Sequence, residues 1–112
     1  MRVRIKITIS DAENVCKFLL TLANNTDAVL IKQQTHMDYI KLYNHLVLIN
    51  RNNGRKMTCF TLDGLTLIML KFSVGECLNK WFDEPHQYIM RYAIEQTWHS
   101  AENYLQKMKL KI

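Results

Sequence analysis

The residues that could bind a metal ion lie scattered along this chain. The four histidines, His36, His45, His86 and His99, form no HxxxH or HExxH motif, the spacings that bring ligands together on one ion. Glu95 and His99 lie one helical turn apart and could share a metal, but an exposed ion pair is the commoner result of this spacing. We therefore expect no metal site and no cofactor.

Nucleophilic and phosphate chemistry also lack a local motif. The sequence contains no GxSxG elbow, Walker loop or GxGxxG segment. A toxin-like ribonuclease needs only scattered basic and aromatic residues that hold a phosphate and move protons. Residues of that kind are His36, Tyr39, Arg51, Arg55 and Tyr104. No spacing ties them together, so the sequence favours a protein that is not an enzyme.

The three cysteines, Cys16, Cys59 and Cys77, are an odd number at wide spacing. A secreted disulfide scaffold normally has an even set, and a charged first segment is not an export signal. The longest apolar run, Leu65 to Leu70, is far shorter than the roughly 20 residues that span a bilayer. The sequence thus predicts a cytoplasmic protein with buried, reduced thiols and no membrane association.

Binding chemistry has better support, because the positive charge is gathered in clusters. The 112 residues include 15 Lys and Arg against 10 Asp and Glu, which gives a net charge of +5. The clusters lie on the first segment, around a central turn and at the chain end: Arg2, Arg4, Lys6, Arg51, Arg55, Lys56, Lys107, Lys109 and Lys111. They could contact phosphates or an acidic protein. Alternatively, they only keep strand edges soluble.

The elements that must position these residues begin with a strand. The aliphatic residues Val3, Ile5, Ile7 and Ile9 alternate with residues that carry basic or hydroxyl side chains. This period of two predicts a strand with one buried and one basic face. Ser10 and Glu13 form a capping box, which predicts a helix over about 11–23 packed on that strand.

The middle of the chain is predicted to be mainly strands. Segment 28–33 favours a strand, and segment 35–43 fits either a strand, which we prefer, or a short helix capped at Thr35. Asn52-Asn53-Gly54 and Asp63-Gly64 predict turns. These turns would join three strands into a meander, at 45–51, 55–62 and 65–72.

The last third of the chain is predicted to be helical. Ser73 and Glu76 form a second capping box that would open a short helix to about Phe82. Pro85 fits the first turn of a long helix that would end near Met108. Residues 1–112 are therefore expected to form one α+β domain: β-α, then a β-meander, with a mainly antiparallel sheet and the long C-terminal helix packed on it.

Together these patterns predict a small non-enzymatic interaction protein, such as a regulator, inhibitor or accessory factor. Its basic sheet and hairpin face would bind an acidic protein or a nucleoprotein complex. Direct binding of DNA or RNA is the alternative, and a ribonuclease is the third hypothesis. Nucleic-acid sites place exposed aromatics among basic residues, whereas the aromatics here concentrate near the C-terminus. Small size and frequent Asn and Lys suggest a phage or mobile-element origin.

Overall fold

The computed structural model describes residues 1–49 and 56–110, and in them it has two strands and five helices. In chain order they are β1 (Arg2–Thr8), α1 (Ile9–Asn25), α2 (Val29–Ile49), β2 (Met57–Asp63), α3 (Gly64–Glu76), α4 (Leu78–Trp81) and α5 (Glu84–Leu110). The chain is an α+β protein with an antiparallel sheet and a long C-terminal helix packed on that sheet, as the sequence predicts.

The sheet pairs β1 with β2 in antiparallel register, from Arg2 opposite Asp63 to Thr8 opposite Met57. Val3, Ile5 and Ile7 are buried, while Arg4, Lys6 and Thr8 are exposed, so the predicted alternation is confirmed along β1. Ile9, predicted as part of the strand, is instead the half-buried first residue of α1. A period of two sends every second side chain to the same face. The aliphatic face therefore joins the core, and the basic face is left outside.

Helix α1 starts two residues earlier than the capping box at Ser10 and Glu13 predicts. Its N-cap is Thr8, whose Oγ1 accepts a hydrogen bond from the backbone N–H of Asp11 at 3.1 Å. The predicted buried stripe is confirmed: Val15, Phe18, Leu19, Leu22 and Ala23 are all buried. Helix α1 packs against α2 and α5.

Two of the helices, α2 and α3, replace predicted strands. Segments 28–33, 35–43 and 45–49 lie mainly within the single helix α2, and 65–72 lies within α3. The predicted meander is therefore wrong, and of its strands only β2 forms in the described part of the chain. The predicted turn at 52–54 lies outside the described residues.

The reason is that β-branched and aromatic residues favour strands only weakly, and tertiary packing overrides that preference. The buried residues of α2 recur at helical spacing: Thr35, Asp38, Leu42, Leu46 and Ile49. A segment that is apolar on more than one side does not show a single period in its sequence.

The turns around α3 also differ from the prediction. Asp63 caps α3, with Oδ1 accepting a hydrogen bond from the backbone N–H of Leu65 at 2.9 Å. Asp63-Gly64 therefore joins a strand to a helix. Ser73 is buried inside α3, so the capping box predicted there is wrong, and the short helix that follows is the single turn α4.

Candidate functional site

A groove with a volume of about 520 Å³ lies between the outer face of the sheet and α5. The strands supply Arg4, Lys6 and Cys59 to it. The helix supplies a mostly polar wall, which includes Tyr92, Gln96, His99, Asn103, Tyr104 and Lys107. The basic face of β1 is therefore one wall of a concave surface.

Local structure explains why these side chains meet. Alternation along β1 puts Arg4 and Lys6 on the outer face, and the backbone N–H of Lys6 donates to Ser100 Oγ at 2.7 Å. This bond fixes α5 along the edge of β1 that faces away from β2. Residues 92, 96, 99, 103 and 107 follow one another at three or four positions, so they lie on one face of α5.

The charged side chains that line the groove are mostly basic. Arg4, Lys6 and Lys107 are exposed, and within residues 1–49 and 56–110 none of them forms an ion pair. Asp11 is the only carboxylate among its described lining residues. The groove therefore suits an anionic ligand, whose counterions would be released on binding.

Arg2, a predicted contact residue on the same face as Arg4 and Lys6, has a structural role instead. Its Nη1 donates to Oδ1 of the fully buried Asp38 at 2.6 Å, and the second carboxylate oxygen accepts from the backbone N–H of Asp63 at 2.9 Å. The guanidinium also donates to the backbone oxygen of Thr61 at 3.0 Å. Arg2 thus holds α2 against the sheet and does not line the groove.

Only some of the remaining basic residues that were predicted as contacts lie in the groove. Lys107 lines the groove, whereas Lys56 and Lys109 are exposed and do not. Three others, Arg51, Arg55 and Lys111, lie outside the described residues, so their role as contact residues remains a prediction.

The tyrosines of α5 are the groove residues that sequence reasoning missed. Tyr92 is 57% exposed and Tyr104 is half-buried, and both face the same groove as Arg4 and Lys6. The sequence places these aromatics near the C-terminus, apart from the basic clusters, and offers Tyr104 only as a possible ribonuclease residue. The available signal was the spacing of Tyr92 with Gln96, His99 and Asn103, which marks a polar face on α5.

The other candidate chemistry is not assembled in the described part of the chain. No group of three His, Cys, Asp or Glu residues could hold a metal ion there. Burial raises the pKa of the Cys16 thiol to about 11, which disfavours the reactive thiolate. Of the possible ribonuclease residues, His36 and Tyr39 stack on each other on α2, away from the groove lining, and Tyr104 lines it.

A second cleft, of about 480 Å³, lies between α1 and the start of α5. Asp83 and His86 are hydrogen-bonded there, and the bonds from His86 lower the pKa of the Asp83 carboxyl. The bond between these side chains joins exposed neighbours three positions apart, as is common at the start of a helix. The Asp83–His86 contact lies at the start of α5, and the described residues of the cleft around it include no cluster of like charges that would bind a charged ligand.

None of the helices in residues 1–49 and 56–110 is long and apolar enough to cross a membrane. Comparisons of the chain with protein-family models, with curated proteins and with solved structures found no match.

Proposed function

We propose that this chain is a non-enzymatic binding protein and that the groove between β1 and α5 binds single-stranded nucleic acid. The observation that carries the proposal is the convergence of Arg4, Lys6 and Lys107 with Tyr92 and Tyr104 in one concave surface. Proteins that bind single strands combine a positively charged groove along the backbone with aromatic side chains that stack on the bases.

Nucleic acid fits this site better than the acidic protein that the sequence first favoured. That preference rested on the separation in sequence of basic and aromatic residues, and α5 brings tyrosines beside the basic strand. The polar side chains Gln96 and Asn103 add donors and acceptors that can reach base edges or sugars. Three free cysteines support a reducing location such as the cytoplasm, where such a ligand is available.

Salt dependence tests the proposal directly. Anisotropy of labelled single-stranded DNA and RNA should show binding that weakens with salt, with a log–log slope of about −0.7 per phosphate contacted. Arg4→Ala, Lys6→Ala and Lys107→Ala combined should flatten that slope by about two units by the same relation. A matched variant that removes the same charge elsewhere, at Lys17, Lys32 and Lys80, should keep the slope.

Stacking is tested separately at Tyr92, the more exposed tyrosine. Tyr92→Ala should weaken binding by about 1–3 kcal/mol, whereas Tyr92→Phe should keep most of the affinity because the ring is retained. Binding that is absent, or that the triple variant leaves unchanged, would disprove the proposal. An acidic protein would then be the partner to seek, by affinity capture with and without nuclease treatment.

Ribonuclease activity is the second candidate, because His99, Arg4 and Tyr104 line the same groove. A phosphodiester held there would lie near an imidazole that can transfer protons. Among the described residues, however, no carboxylate hydrogen-bonds to His99 to orient its ring. We expect no cleavage of labelled RNA by the wild type. Cleavage that His99→Ala abolishes would favour the nuclease over the binding protein.

A further inference from the structure

Helix α2 has a second apolar face, which points away from the core. Six large side chains on it are between 41% and 77% exposed: Val29, Leu30, Met37, Ile40, Val47 and Leu48. The opposite side of the same helix, from Thr35 to Ile49, is buried in the protein. A helix that is apolar on both sides normally has both sides covered.

These six residues form one continuous stripe. At 3.6 residues per turn they fall within a sector about 100° wide, and Gln33 and Asn44 lie along its middle. The stripe extends from residue 29 to residue 48, which is about 28 Å of helix. No charged side chain lies within the stripe, whereas Lys32 and Lys41 lie outside its edges.

The stripe is symmetric about its own centre, between Asp38 and Tyr39. Reflection through that point exchanges positions whose residue numbers add up to 77. It matches an apolar residue with an apolar residue and an amide with an amide in all four pairs: Val29 with Leu48, Leu30 with Val47, Gln33 with Asn44, and Met37 with Ile40.

This is the pattern that a twofold axis requires. In a symmetric dimer the same surface is used on both subunits, so that residue i contacts residue j′ and residue j contacts i′. Two antiparallel copies of α2 that cross at their midpoints would place each residue opposite its reflected partner. Gln33 would then meet Asn44′, where side-chain amides can hydrogen-bond to each other.

We propose that a second copy of this chain covers the stripe, as an antiparallel α2–α2′ dimer. The occupant follows from self-complementarity, since an unrelated helix would place no mirror condition on the order of apolar and amide residues. The interface is independent of the nucleic-acid proposal, because α2 contributes no residue to the groove.

The first test is the mass of the full chain in solution, by sedimentation equilibrium from about 1 to about 100 µM. The wild type should be a dimer, and Met37→Glu should weaken it by roughly a thousandfold, since each dimer buries the change twice at its centre. Ile68→Glu is the matched control: Ile68 is 60% exposed on α3, and this variant should stay dimeric.

The second test checks the register. Leu30→Glu should give a monomer, and adding Val47→Lys should recover a dimer, because the two new charges meet only across the twofold axis. Adding Val47→Glu instead should not. Unchanged circular dichroism would show that the variants are folded.

Any one of three results would overturn the proposal. A wild type that stays monomeric through this range would exclude the dimer and leave an amphipathic helix of another protein as the occupant. A dimer that is insensitive to Met37→Glu would place the interface elsewhere. A Leu30→Glu monomer that Val47→Lys fails to restore would contradict the antiparallel register on which the proposal rests.

Discussion

Arg2 shows that a residue of a basic cluster can have a structural role within the protein instead of a role in ligand binding. Its side chain is one-third exposed, but its guanidinium pairs with Asp38, whose side chain is completely buried. The carboxylate is satisfied by Arg2 and by the backbone of Asp63. Buried charges need such partners, because an unpaired one loses its hydration without compensation.

The two partners should therefore differ in their cost on mutation. Arg2→Met leaves a buried, uncompensated carboxylate and should lower the free energy of unfolding by about 3–5 kcal/mol. Asp38→Asn removes the charge and keeps one acceptor, while Arg2 can turn to solvent, so the loss should be about 1–3 kcal/mol. Urea unfolding at neutral pH measures both. An Arg2→Met variant as stable as the wild type would contradict this account of the pair.

At the level of the individual helix, the start of α1 shows why the sequence alone does not tell which of two overlapping capping motifs is used. Thr8 and Asp11 have the same spacing as Ser10 and Glu13, and either pair could cap a helix. The structure uses Thr8, because β1 continues to that residue and pairs with Met57. A cap must lie where the strand ends, and the sequence does not mark that end.

Replacing Thr8 and Ser10 by alanine, one at a time, tests which of the two residues caps α1. Thr8→Ala should lower the free energy of unfolding by about 1 kcal/mol, since it removes the acceptor for the N–H of Asp11. Ser10 is exposed within the first turn, so Ser10→Ala should change it by less than about 0.5 kcal/mol. Thermal or urea unfolding of both variants measures the difference. A larger loss from Ser10→Ala would restore the helix start that the sequence predicts.

At the scale of the whole molecule, stability rests on one apolar cluster. It joins the inner face of the sheet to all five helices of the described chain, with Phe18 stacked on Phe82 at 5.7 Å and near Trp81 at 5.8 Å. A chain of this length can bury such a core without a metal or disulfides. We therefore expect the fold to form without a structural ion.

Removal of metal should consequently leave the molecule unchanged. Protein purified without a chelator should contain no stoichiometric zinc, and excess chelator should not lower its melting temperature, because no ligand is needed to close the core. Elemental analysis and thermal unfolding check the two points. One zinc per chain, lost together with the fold, would contradict both this expectation and the assignment of the cysteines as thiols.

The secondary structure could be predicted from the sequence wherever one segment showed a single hydrophobic period. The alternation in β1, the buried stripe of α1 and the extent of α5 are patterns that no distant contact needed to decide. The exposed basic face of β1 followed from the same alternation. Arg4 and Lys6 on this face supply two of the three basic side chains among the described residues that line the groove.

Tertiary contacts decided the rest. Helices α2 and α3 are apolar on more than one side, so their sequences show no single period, and only the buried set from Thr35 to Ile49 marks α2 as a helix. The separation of Arg2 from Arg4 and Lys6 depended on Asp38, which is 36 residues away from Arg2. The groove depended on α5, which returns some 90 residues later to lie along β1. A site that is assembled from distant segments has no characteristic residue spacing in the sequence, because its residues come close together only when the chain folds.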